Sequence, residues 1–67
     1  MKKFCERLKE LRVEKGMTQL SLAQKFNLKQ AAISQWESGC REPNLDMVIS
    51  LARFFKVSTD YLLGLED

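Results

Sequence analysis

The stretch Thr18-Gln-Leu-Ser-Leu-Ala-Gln-Lys-Phe-Asn-Leu-Lys-Gln-Ala-Ala-Ile-Ser-Gln-Trp-Glu-Ser-Gly39 constrains this chain more than any other. It reads as two short helices joined by a tight turn. In the second of them, Gln30, Ala31, Ser34 and Gln35 fall on one face, and Ile33 and Trp36 fall on the other. That division is what a helix needs if its back is to sit in a core and its front is to fit between DNA base edges. Amides pair bidentately with adenine, and small side chains let the backbone come close. Trp36, three residues after Ile33, belongs to the core, where an indole ring buries a large area. A lone surface glutamine is usually just solvated, so the setting of Gln30 and Gln35 carries this reading.

The 67 residues fit one domain, 1–67, with the helix pair at 18–38 and the second helix at 29–38. A chain this short buries a smaller fraction of its surface than a larger domain and has a modest stability margin. One proline, three glycines and apolar residues spaced by three and four positions predict an all-α chain of five helices. No apolar run approaches the ~18 residues of a membrane span, and no signal-peptide pattern opens the chain, which makes the cytoplasm the expected compartment. Cys5 and Cys40, without a single His, are too few for a metal site and are read as thiols, not a disulfide. The net charge of +2 decides little. Lys2, Lys3, Arg7, Lys9, Arg12 and Lys15 gather at the amino end, where a solvated helix face explains them equally well; Asp60, Glu66 and Asp67 make the carboxyl end acidic.

The first helix is predicted over residues 2–15, with Phe4, Leu8 and Leu11 on one face and Gly16 as its left-handed terminator, followed by apolar Met17. Thr18 caps the second helix, but Ser21 in place of Glu removes the reciprocal half of a capping box. Leu22, Ala23 and Phe26 point inward, and Leu20 lies off that face and is expected to be exposed. Asn27 makes the turn, since asparagine tolerates positive φ. Lys29 is a poor N-cap for the third helix, costing ~1 kcal/mol relative to Ser, although a lysine there reaches toward a phosphate. Gly39 ends that helix, Pro43 keeps the next loop extended, and Asn44 caps a fourth helix with Asp46 in its first turn. Leu45, Val48, Ile49, Ala52 and Phe55 form its expected buried stripe, with Leu51 contributing. Lys56 stands where glycine is easier, and Ser58 caps a last short helix closed by Gly64.

Together these pieces carry a resemblance. Leu8-Lys-Glu-Leu-Arg12, Lys15-Gly-Met-Thr-Gln19, Leu22-Ala23, Ile33-Ser-Gln-Trp-Glu37, Gly39, Arg41-Glu-Pro43, Leu51-Ala52 and Val57-Ser-Thr-Asp-Tyr-Leu-Leu-Gly64 occur in order over nearly the whole chain. The chain resembles the Cro/cI-type (XRE-like) helix-turn-helix domains of bacterial and phage repressors. The resemblance implies a compact five-helix, lambda-repressor-like DNA-binding fold, in which helices 2 and 3 form the helix-turn-helix. It also implies that Gln19 bonds a DNA phosphate and supports a recognition-helix glutamine, and that Gln30, Ala31, Ser34 and Gln35 face the major groove. Lys29, Ser38 and Arg41 are similar in position to residues that grip the DNA backbone. The chain departs from the family pattern at Asn27 and Lys56, where glycine is usual, at Lys29, where Ser or Thr is usual, and at Leu20, where a charged residue is usual.

The function expected is sequence-specific binding of double-stranded DNA as a transcriptional regulator, a repressor, on a near-palindromic operator. No cofactor and no membrane partner are expected. Enzyme chemistry is disfavoured by the lack of His, of a paired-carboxylate site, of a glycine-rich phosphate loop and of volume for a cleft. The alternative is an antitoxin-like protein-interaction module that binds DNA mainly as a complex with a partner, which exposure of Leu20, Tyr61 and Leu65 together would support. RNA binding is weaker, for want of aromatic stacking positions. A homodimer is expected through Tyr61, Leu62 and Leu65, with Phe54 a further candidate. Standard interfaces bury ~1,200–2,000 Å², so a chain this small is expected to pair weakly, or only on DNA, unless further sequence at its carboxyl end supplies the contact.

Overall fold

Phe4 and Leu8 share a face at four-residue spacing, and both are wholly buried against Leu22, Ala23, Ile33, Trp36, Val48, Leu51, Ala52 and Leu62. All five expected helices contribute to this core. The computed structural model describes residues 2–66, with Lys2 by its backbone alone, so Asp67 of the acidic carboxyl end lies outside the described residues. The order is α1 (Lys2–Glu14), α2 (Gln19–Lys25), α3 (Gln30–Ser38), α4 (Leu45–Phe55) and α5 (Thr59–Leu63), with no strand among the described residues. The fold is all-α, as expected. α3 packs on α2 and α1, and α5 packs on α1 and α4, so α1 bridges the two halves of the molecule.

Four helix ends close by the same device. The residue after the end turns left-handed, its N–H bonds a carbonyl three residues back, and the next N–H bonds one five residues back. Gly16, Asn27, Lys56 and Gly64 hold the left-handed position, with φ of 71°, 57°, 58° and 83°. The N–H groups of Met17, Leu28, Val57 and Leu65 reach the carbonyls of Arg12, Ala23, Ala52 and Asp60. Met17, Leu28 and Val57 then pack against the core, which fixes the direction in which the chain leaves each helix. Leu65 does not: it is 74% exposed. Gly64 answers a second demand, because a Cβ there would lie 2.4 Å from the Cβ of Lys3.

Four details correct the sequence reading. Ser21 completes a capping box after all: its Oγ accepts from the Thr18 N–H at 2.9 Å, while Thr18 Oγ1 accepts from the Ser21 N–H at 3.0 Å. A hydroxyl has acceptor capacity of its own, so glutamate is not required. Leu45 lies outside the α4 stripe at 68% exposure, because it is the first helical residue, ahead of Met47 and Val48 where α4 meets the core; Leu51 is wholly buried with Val48 and Ala52, while Ile49 and Phe55 are half-buried. Leu62 is 0% exposed, at the centre of the core, and so leaves the proposed pairing surface. Phe54 is committed within the chain as well, edge-on to Phe26 and Phe55 and flanked by the ammonium groups of Lys15 and Lys25.

Candidate nucleic-acid interface

α3 begins without a side-chain cap at Lys29 and ends on left-handed Gly39. Its nine residues sort by the helical period. Ile33 and Trp36 are buried, and Gln30, Ala31, Ser34, Gln35 and Ser38 are exposed along the other side. Lys29 and Arg41 are also exposed, before and after the helix. Asn27, left-handed between α2 and α3, lets α3 cross α2 closely enough for wholly buried Ala23 and Ile33 to share the core.

Behind this face lies a polar chain of four side chains. Arg12 Nε donates to Glu37 Oε2 at 2.7 Å and Arg12 Nη2 donates to Glu37 Oε1 at 3.0 Å, a bidentate pair. Arg12 Nη1 donates to the Met17 carbonyl at 2.8 Å. The Glu37 side chain is only 4% exposed. Gln19 Nε2 donates to Glu37 Oε1 at 3.1 Å, and Gln30 Nε2 donates to Gln19 Oε1 at 3.4 Å. Hydrogen bonding to Glu37 raises the Arg12 guanidinium above its ordinary value; burial opposes this and attraction to the carboxylate reinforces it. Among the described residues, no buried side-chain nitrogen or oxygen lacks a hydrogen-bond partner.

The structure thus brings Gln19 to Gln30 and leaves Gln35 exposed on the same face. Ser38 is engaged at the helix end: its hydroxyl donates to the Gln35 carbonyl and accepts from the Cys40 N–H. Arg41 closes the loop through its backbone N–H, which reaches the Gln35 carbonyl at 3.3 Å. Beside this face, a cleft of 440 Å³ opens between the start of α1 and the loop after α3, lined by Phe4, Cys5, Glu6, Ser38, Gly39, Arg41 and Glu42. Tyr61 is half-buried under the Arg7 guanidinium, 4.2 Å from its ring centroid, and Arg7 also donates to the carbonyls of Tyr61 and Glu66.

Sequence reasoning missed Arg12 and Glu37 as a pair. The signal was present: Phe4, Leu8 and Arg12 fall at i, i+4 and i+8, and Glu37 falls four residues after Ile33. Each charge continues an apolar stripe, and a charge placed inward requires a counter-charge. Among the described residues, no cluster of His, Cys, Asp and Glu could hold a metal ion, and no helix is long and apolar enough to cross a membrane.

Comparison with known proteins places this geometry. A family model described as helix-turn-helix matches residues 8–62. The chain is 38% identical over 64 residues to YobD of Bacillus subtilis, an uncharacterized helix-turn-helix-type transcriptional regulator, covering 96% of this chain and 57% of that protein. It is 41% identical over 64 residues to BcrR of Enterococcus faecalis, a helix-turn-helix-type transcriptional activator, covering 96% of this chain and 31% of that protein. The crystal structure of the c2 repressor of Salmonella phage P22 in complex with a synthetic operator superposes with a TM-score of 0.80 at 32% identity. That match covers 88% of this chain and 89% of the repressor chain. The chain spans roughly a third to just over half of the two curated bacterial relatives.

Proposed function

Because the chain belongs to the helix-turn-helix family, we propose that it binds double-stranded DNA sequence-specifically and regulates transcription, acting as a repressor by occupying its operator. One observation carries the reading above the rest: the exposed amide and small-residue face of α3, with Gln30 held by Gln19, on a fold shared with a repressor solved on operator DNA. In this reading α3 enters the major groove. Gln30 and Gln35 read base edges, Ala31 and Ser34 admit close approach, and Gln19, Lys29, Ser38 and Arg41 meet phosphates. Ser38 exchanges its bond to the Gln35 carbonyl for the phosphate. The chain works as a binder and not as an enzyme, in the cytoplasm where its operator lies. The names of the relatives, regulators of transcription, favour this over an antitoxin-like module.

Two copies occupy a near-palindromic operator with half-sites about one turn, ~34–36 Å, apart. Tyr61 is covered by Arg7, which leaves Leu65 as the exposed apolar residue of the pairing surface. Pairing is therefore weak off DNA. Selection from random duplexes, followed by a footprint, tests the whole reading: a two-fold symmetric site is expected, and an optimal site of one asymmetric half would overturn it. Gln30→Ala and Gln35→Ala each relax preference at one base pair, whereas Arg41→Ala weakens all sequences alike and flattens the salt dependence. Sedimentation at micromolar concentration without DNA should show a monomer, and Leu65→Asp should reduce cooperative loading of the full operator.

A further inference from the structure

Hydrogen-bond direction along Arg12, Glu37, Gln19 and Gln30 is not free. A guanidinium only donates and a carboxylate only accepts. Arg12 fills one side of each Glu37 oxygen, so what Glu37 Oε1 offers to Gln19 must be met by an N–H. That turns Gln19 with Nε2 toward Glu37 and Oε1 away from it. The outward Oε1 accepts from Gln30 Nε2 at 3.4 Å. Gln30 is left with its own Oε1 and one N–H for a DNA base. One acceptor beside one donor matches adenine, which presents an N6–H donor and an N7 acceptor; it mismatches guanine, whose N7 and O6 both accept.

We propose that the buried Arg12–Glu37 pair sets which base Gln30 reads, selecting adenine over guanine through Gln19 without touching DNA. Arg12 and Glu37 are positioning residues in this sense. An amide on an open surface can turn over at little cost, whereas this chain is anchored at an end that cannot turn. The Arg12 and Glu37 side chains are 11% and 4% exposed, and Arg12 is held by the Met17 carbonyl too. The inference rests on the reading of Gln30 as a base-reading residue.

Glu37→Gln tests it. The amide introduced at position 37 has a single oxygen where Arg12 and Gln19 together present three N–H groups, so it meets an N–H of Arg12 in either orientation and no longer fixes which way Gln19 turns. Gln19 can then reverse, and Gln30 after it, which adds an arrangement with two donors for the base, the complement of guanine. Affinity is measured for duplexes that differ only at the base pair that Gln30→Ala relaxes. The expected result for Glu37→Gln is a fall of about tenfold in the adenine-to-guanine preference there, toward one, with preference at the Gln35 position kept. Gln19→Met cuts the chain without disturbing the ion pair and brings the same ratio toward one. It decides the matter if thermal melting shows Glu37→Gln unfolded. If Gln30→Ala relaxes no position, the assignment of Gln30 itself fails. If Gln30→Ala relaxes one position while Gln19→Met, and a folded Glu37→Gln, keep the parent ratio there, this inference alone is overturned.

Discussion

Arg7 and Arg12 leave the same helix five positions apart and meet opposite environments. Arg7 is half-buried, lies over the Tyr61 ring and reaches the carbonyls of Tyr61 and Glu66. Arg12 is 9% exposed and forks onto a carboxylate that is itself buried. The first arginine fastens the carboxyl-terminal segment, where Ser58 Oγ also bonds the Glu66 carboxylate. The second pins α1 to α3 and anchors the amides that reach the candidate DNA face. A cation beside water can be lost and the surface rehydrated. A cation inside cannot be lost alone, because its partner remains charged and desolvated. Position 12 therefore commits position 37, and position 7 commits very little.

The largest expected effect breaks that commitment. Arg12→Ala strands the Glu37 carboxylate and costs ~3–5 kcal/mol. A chain of this length has a total stability of only about 3–10 kcal/mol, so this variant should be mostly unfolded or melt far below the parent. Urea unfolding of Arg12→Ala and of Arg12→Met with Glu37→Met separates two causes. The double variant removes both charges and should regain most of the lost stability. If it were as unstable as Arg12→Ala, packing rather than the stranded charge would explain the loss. The raised pKa of Arg12 gives the sign on the alkaline side. The pair's contribution is present below arginine's ordinary value and is lost only as pH rises past the folded one, so alkaline titration short of the arginine range leaves it intact.

Next in size is Gly64→Ala, at the other end of the comparison. The new Cβ would meet Lys3 Cβ at 2.4 Å, and the left-handed backbone itself costs an L-residue ~1–2 kcal/mol. The expected loss is about 2–3 kcal/mol on the same principle, with the start of α1 displaced from α5. Arg7→Ala should cost less, about 1 kcal/mol, as a partly exposed cation–π contact and hydrogen bonds to carbonyls are given up. Hydrogen exchange should show faster opening of α5 in Arg7→Ala and unchanged protection in α3. Equal loosening of both helices would show that the two arginines are coupled, against the contrast between them.

The same contrast explains what could be read from the sequence. The helices were legible because their signals are local: Thr18, Asn44 and Ser58 each cap within three residues, and Gly16, Asn27, Lys56 and Gly64 each mark an end. The amide face of α3 was legible for the same reason, by the helical period alone. Arg12–Glu37 joins positions 25 apart in sequence, and Arg7–Tyr61 joins positions 54 apart. A spacing rule within one helix cannot pair them. Leu45 and Leu62 failed differently: periodicity put Leu45 on the α4 stripe but not past the rim of the core, and the share of α5 that so small a core consumes depends on packing.

The smallest expected effect concerns the two non-glycine turns. Asn27 and Lys56 hold nearly the same backbone, φ 57° and 58°, and lead into half-buried Leu28 and Val57. They differ in the side chain that must tolerate it. Asparagine visits the left-handed region routinely, whereas a lysine there carries the fuller ~1–2 kcal/mol penalty of an L-residue. Glycine removes that penalty but makes the unfolded chain more flexible by ~0.4–1 kcal/mol. The two partly cancel, so Lys56→Gly should stabilise by about 0.5–1 kcal/mol and Asn27→Gly should be neutral or slightly destabilising. Thermal melts of the pair of variants, measured side by side, check the order. Lys56 is exposed in the turn between α4 and α5, outside the helix-turn-helix, so its replacement should leave DNA affinity unchanged. Asn27 lies one residue from Leu28 and two from Lys29, and any loosening there should appear as weaker binding before it appears as a lower melting point.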